Sequence, residues 1–207
     1  MIALIDYGAG NLTSVRKALA HLDVKFSTPE TPEMLRSADA VIVPGVGNFE
    51  ATSALGNDWH RGIAATVEKG NPLLGICLGL QWLFQGSDEA PDVSGYGAMK
   101  GQCQLIDCGA GKLATTELFK VPHVGWNSLH KTRESWLLQG VTEGDQVYFT
   151  HSYAAPVTDD CVGLTHYGID FASVVERNNL VGVQFHPEKS GSVGLRILKN
   201  FIDRIRP

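Results

Sequence analysis

The chain has 207 residues, 43% hydrophobic and 19% charged, a balance that allows one well-buried core. Its formal net charge of −5 argues against general binding of nucleic acid or an anionic membrane, both of which ask for a basic surface. The opening MIALIDYGAG lacks a basic segment before an apolar one, and the longest apolar stretch, residues 72–84, is too short for a bilayer, so the chain reads as soluble and cytoplasmic.

In chain order, residues 2–6 read as a buried strand of parallel type. Asn11 stands where a helix N-cap belongs, and Leu12, Val15, Leu19 and Leu22 follow at helical spacing. Residues 24–27 form a second strand and 40–43 (AVIV) a third, stopped by PGVG. A helix is predicted over about 58–68, with Trp59, Ile63 and Val67 on one face. PLLGI (72–76) is a fourth strand, and 78–84 turn into a helix. The second half changes character: 97–107 and 146–184 carry strand signals and few helical ones. QVYFTHSY, CVGLTHYG and FASVVERNNLVGVQF read as successive antiparallel strands, with Asn178-Asn179 turning a hairpin. A closing helix covers 192–205, with Val193, Ile197, Phe201 and Ile205 four apart. The expected fold is α/β, a mostly parallel central sheet flanked by helices on both faces, with an added antiparallel region. No repeat or Gly/Pro/Ser-rich linker divides residues 1–207, which are expected to form a single domain.

GICLG, at the junction of the fourth strand and its helix, has the form of a nucleophile elbow: a nucleophile flanked two residues away by small residues. Gly75 and Gly79 leave room for a turn too sharp for bulk. Such a turn lifts the Cys77 sulfur above the sheet and aims the first N–H groups of the helix at a developing oxyanion. A helix N-terminus also favours a thiolate. A buried structural cysteine explains Cys77 equally well until a base is found. GVQFHPEKS supplies one: His186 and Glu188 flank Pro187 at a strand end, where residues two apart face the same side. Glu188 can then orient His186 as the acid of a triad does. PGVGNFE, after the third strand, is either a plain tight turn or a set of backbone donors completing an oxyanion hole.

Other signals carry less. GAGNLT (8–13) mimics a dinucleotide-binding turn but lacks the third glycine, and GAGKL (109–113) is not a phosphate loop. Cys77, Cys103, Cys108 and Cys161 form no CxxC pair, so no metal site is expected. His21, His60, His123, His130 and His166 read as solvated or hydrogen-bonded. His151, in THSY, lies nearer the expected pocket. The four tryptophans read as packing or docking residues.

Together PGVGNF, GICLGLQ, VPHVGWN, YFTHSY and GVQFHPEKSG resemble the class I, triad-type glutamine amidotransferases, over essentially the whole chain. DYGAGNLTSV and PHVGWN are similar, more narrowly, to the glutaminase subunits of imidazole glycerol phosphate synthase, although Val124 stands where that family more often has Met. The resemblance implies a flavodoxin-like sheet, no cofactor and no metal. It implies that Cys77 attacks the side-chain amide of glutamine, His186 protonates the departing ammonia and then activates water, and Glu188 orients His186. It implies backbone donors at Gly45, Val46, Gly47 and Leu78, and a glutamine pocket with Gln81, Ser152 and Tyr153. It further implies a heterodimer with a cyclase subunit of (β/α)8-barrel type, which receives ammonia by an enclosed path, and no nucleic-acid or membrane partner. Residues 7–11 and 122–127 are the expected docking surfaces. A glutaminase of another synthase, of anthranilate or guanylate type, a hydrolase of another amide, or a non-catalytic binding subunit stay open as alternatives.

Overall fold

The computed structural model describes residues 1–10, 12–107 and 120–205. The expected cap at Asn11, Cys108 and the GAGKL turn lie outside them. The strands are β1 (Ile2–Leu4), β2 (Phe26–Ser27), β3 (Ala40–Gly45), β4 (Leu73–Cys77), β5 (Gly86–Ser87), β6 (Gln102–Leu105), β7 (His123–Ser128), β8 (His130–Lys131), β9 (Gln146–His151), β10 (Tyr153–Ala154), β11 (Cys161–Tyr167), β12 (Ile169–Arg177) and β13 (Leu180–Val183). The helices are α1 (Leu12–His21), α2 (Asn57–Glu68), α3 (Leu78–Leu83) and α4 (Gly191–Asp203).

Eight strands form the main sheet in the order β2-β1-β3-β4-β13-β12-β11-β8. The pairings from β2 through β13 are parallel and those from β13 to β8 antiparallel. This is the expected α/β architecture, and its parallel part has the flavodoxin-like order, in which ligands sit beyond the carboxyl ends of the strands. Alternate strand residues feed two cores. On one face Leu12, Val15 and Leu19 of α1 and Ile197, Leu198 and Phe201 of α4 pack on Ile2, Leu4, Ile42, Leu74, Ile76, Val181 and Val183. On the other, Ile63 of α2 and Leu80, Trp82 and Leu83 of α3 pack on Ala3, Val41, Val43 and Leu73. Burying each large side chain contributes about 1.5–3 kcal/mol.

Two expectations are corrected. PGVG does not stop β3, which continues through Pro44 and Gly45 opposite Ile76 and Cys77. The last β1 pairing is Leu4 with Ile42, so Pro44 lies past the end of β1, where a residue without an N–H interrupts no β1–β3 pairing. The second correction concerns β9. It pairs antiparallel along its whole length with β7, in a separate two-stranded ribbon, and not with its successors. Gly125 and Asn127 weaken the strand signal of β7. The later hairpin is as expected, with Asn178 at φ +57° in its turn.

Candidate active site

Cys77 is the last residue of β4 and immediately precedes α3, at φ +54° and ψ −104°. A non-glycine residue holds such a conformation only where its surroundings force it. Here the packing of backbone on backbone does so. A Cβ at Gly79 would lie 1.8 Å from the Val43 carbonyl oxygen, and one at Gly75 would lie 2.4 Å from the Gly79 oxygen. Helix α3 therefore starts pressed against β3 and β4, at a distance only glycine permits. The two glycines flanking the thiol serve this approach.

The chain returns on the neighbouring strand. β13 pairs with β4 up to Val183 opposite Ile76, and two residues beyond Gln184 comes His186, 2% exposed. His186 Nδ1 lies 2.8 Å from Glu188 Oε1, with both side chains buried. Burial by itself would lower the His186 pKa. The neighbouring Cys77 and Glu188 outweigh it and raise the pKa well above the ordinary value. Cys77 and His186 thus stand at the ends of adjacent strands, with Glu188 bonded to the imidazole through Nδ1, while His186 Nε2 is buried with no hydrogen-bond partner among the described residues. The turn holding His186 is itself braced: Ser190 Oγ donates to the His186 carbonyl at 2.6 Å and accepts from Tyr148 N–H at 3.0 Å.

A pocket of about 200 Å³ opens on the sulfur, lined by Gly47, Cys77, Leu78, Gln81, Glu89, Pro122, Thr150, His151, Ser152 and Tyr153. The expected glutamine-binding residues Gln81, Ser152 and Tyr153 all line it. The amide nitrogen of Gln81 is committed within the protein, donating to the Tyr153 carbonyl at 2.8 Å and to Gln184 Oε1 at 3.2 Å. Of the expected oxyanion loop, Gly47, at φ +101°, and Leu78 face this pocket. Gly45 and Val46 line an adjoining crevice with His186 and Glu188. Gly45 sits opposite Cys77 in the β3–β4 ladder, and a Cβ there would be 2.1 Å from Tyr7 Oη.

Two residues at the site, Gln184 and Glu89, are not singled out by the sequence. Gln184, fully buried, donates through Nε2 to the Cys77 sulfur at 3.6 Å. A single polar residue inside an apolar strand end was the only sign of it. Glu89 places a carboxylate on the pocket wall, held by Phe49 N–H at 2.8 Å; burial raises its pKa, against that hydrogen bond. His151, expected near the pocket, lies on its wall and is bonded to His123. Among the described residues no group of three or more His, Cys, Asp or Glu is arranged to hold a metal, and no helix is long and apolar enough to cross a membrane. The arrangement brings a buried thiol, an imidazole bonded to a carboxylate and the backbone of Gly47 and Leu78 to one end of the sheet.

A family model described as glutamine amidotransferase class-I matches residues 3–205. The imidazole glycerol phosphate synthase subunit HisH of Archaeoglobus fulgidus is 44% identical over 207 residues, spanning all of both chains. That of Moorella thermoacetica is 43% identical over 211 residues, covering 99% of this chain and 95% of the other. Among solved structures, that of PurLQS from Thermotoga maritima shares the fold with a TM-score of 0.75 at 17% identity, over 99% of this chain and 98% of that one.

Proposed function

This chain belongs to the class I glutamine amidotransferases, and within them to the HisH subunits of imidazole glycerol phosphate synthase, and on that footing we propose that it hydrolyses glutamine to glutamate and ammonia for a cyclase partner. Cys77 Sγ attacks the side-chain amide carbon of glutamine. The C–N bond breaks as His186 delivers a proton to the leaving nitrogen, and a glutamyl thioester remains. His186 then takes a proton from water, which cleaves the thioester. Glu188 holds the imidazole throughout, and Leu78 with the Gly45–Val46–Gly47 loop supplies the oxyanion donors. Glu89 offers its charge to the ammonium of the amino acid, while Gln81, Ser152 and Tyr153 shape the pocket. The observation that carries this reading is the placement of Cys77 and His186 at the ends of the adjacent strands β4 and β13, with His186 Nδ1 2.8 Å from Glu188 Oε1.

Ammonia is largely protonated in neutral water and then no longer nucleophilic, so its use requires an enclosed path to an acceptor. The exposed Val124 and Trp126 side chains on β7, next to Pro122 at the pocket, support docking of a (β/α)8-barrel cyclase there, in a cytoplasmic heterodimer making imidazole glycerol phosphate, with residues 1–207 acting as a single domain. The test is Cys77→Ala assayed with the cyclase and its ligand. Glutamine hydrolysis should vanish, and a glutamine-like electrophile should label Cys77 in the unsubstituted chain. Unchanged turnover, or labelling elsewhere, rejects the reading.

A further inference from the structure

We propose that His123 and His151 are positioning residues for this site, forming with Asn127 a one-way hydrogen-bond chain that fixes the wall of the glutamine pocket; the inference rests on the glutaminase reading above. Both rings are buried, at 2% and 6% exposure. His151 Nδ1 lies 2.9 Å from the Tyr153 carbonyl, which only accepts, so the proton sits on Nδ1. In a neutral ring His151 Nε2 must then accept. Its partner, 3.1 Å away, is His123 Nδ1, which must therefore carry a proton, leaving His123 Nε2 as an acceptor. The far end agrees independently. Asn127 Oδ1 accepts from Ser128 N–H at 2.8 Å and Nδ2 donates to the His166 carbonyl at 3.0 Å, so the amide nitrogen is the group facing His123 Nε2 at 3.4 Å. Every donor and acceptor is assigned without conflict.

Burial keeps both rings neutral: it lowers the His123 pKa to about 4 and, outweighing the raising hydrogen bond to the Tyr153 carbonyl, that of His151 to about 3, with lesser contributions from His123 and His186. His123 is also clamped by rings, with centroids 3.9 Å from Tyr167 and 4.7 Å from Phe149. The chain ends on a hub. The Tyr153 carbonyl that receives His151 also receives Gln81 Nε2, which reaches Gln184 Oε1, and Gln184 Nε2 reaches the Cys77 sulfur. Strand β7, with Val124 and Trp126 on its outside, is thereby joined to the pocket wall and the nucleophile by polar contacts alone.

The test has two arms on the full chain. Long-range proton–nitrogen correlation spectra of 15N-histidine-labelled protein at pH 7 should show both rings neutral with the proton on Nδ1, the reverse of the ordinary free tautomer. An Nε2–H or charged ring at either position overturns the proposal. In the second arm, glutamine kinetics with the cyclase compare His123→Phe, which keeps the stacked ring but loses the donor, with His123→Asn, whose amide nitrogen replaces Nδ1. Loss of one neutral hydrogen bond should raise the glutamine KM about fivefold in His123→Phe with kcat within about twofold, and His123→Asn should recover most of it. A merely structural role would lower the melting temperature and leave KM in place, and that outcome overturns the proposal. If His123→Phe does not fold, the wild-type tautomers decide. Failure of the unsubstituted protein to hydrolyse glutamine would defeat the functional reading and leave the tautomer result standing by itself.

Discussion

Gly79→Ala tests the elbow at its tightest point. The added methyl would stand 1.8 Å from the Val43 carbonyl oxygen, and ordinary contact begins at 3.4 Å, so the start of α3 must withdraw from β3 by about 1.6 Å. The obstacle cannot yield, because Val43 is locked in the ladder opposite Gly75. Overpacking a core costs about 1–3 kcal/mol, and a backbone obstacle places this case at the upper end. The effect on rate is larger. Cys77 and Leu78 withdraw with the helix, and misplacing reacting groups by about 1 Å costs about a hundredfold. Gly144→Ala is the control: at φ +81° with no atom of the described residues within 4 Å of the new methyl, it reports only the backbone cost of a side chain there, about 1 kcal/mol, without touching the rate. Urea unfolding midpoints and glutamine turnover with the cyclase measure both variants. If Gly79→Ala keeps its rate within about threefold and its stability within about 0.5 kcal/mol, a surface-like response, close packing is not the reason for that glycine.

Glu188→Gln should reduce kcat about 10³- to 10⁴-fold, as loss of the acid member does in such relays. It should also bring the His186 pKa down, since Glu188 helps raise it; the pH profile of Cys77 alkylation reports this, and an unmoved profile contradicts the coupling. Acid should destabilise the fold through His123 and His151. Their folded pKa values lie near 4 and 3, so below about 6.5 the unfolded chain takes up protons the folded one refuses, at about 1.4 kcal/mol per pH unit for each ring. His186 works oppositely: its contribution is complete below about 6.5 and is lost as pH climbs through its raised folded value. Melting curves between pH 7 and 4.5 should slope accordingly and flatten in a His123→Phe/His151→Asn double variant; equal slopes would refute the assignment. Tyr7 Oη is buried with no partner among the described residues, so Tyr7→Phe should stabilise the protein by about 1 kcal/mol, and a clear loss of stability in urea would show that the hydroxyl is paired.

The parallel half of the fold was legible because buried strands and amphipathic helices write different periods, and AVIV, PLLGI and the helix around Ile63 carry them cleanly. Cys77 and His186–Glu188 were legible for another reason: a tight turn and a proline-separated pair leave local marks. What escaped depends on distant pairing. Nothing in QVYFTH tells whether its partner precedes or follows it, and VPHVGWNS hides its strand behind Gly125 and Asn127. Gln184 and Glu89 carry no pattern at all, since one polar residue acquires meaning only when the fold brings a sulfur or a cavity to it. Pro44 misled because its missing N–H is costly only where a neighbouring strand continues, and β1 has already ended there.

Neighbouring strands make a stiff ruler. The sulfur and the imidazole are carried by β4 and β13, paired from Leu73 with Leu180 to Ile76 with Val183. A signal that idled the molecule by parting them would have to unzip the middle of the main sheet. Any timing that makes the hydrolysis wait for an acceptor therefore falls on pieces outside that ladder. The nearest is the Val46–Gly47 turn, which begins where β3 makes its final pairing, Gly45 with Cys77. A change confined to residues 46 and 47 leaves the β4–β13 ladder intact.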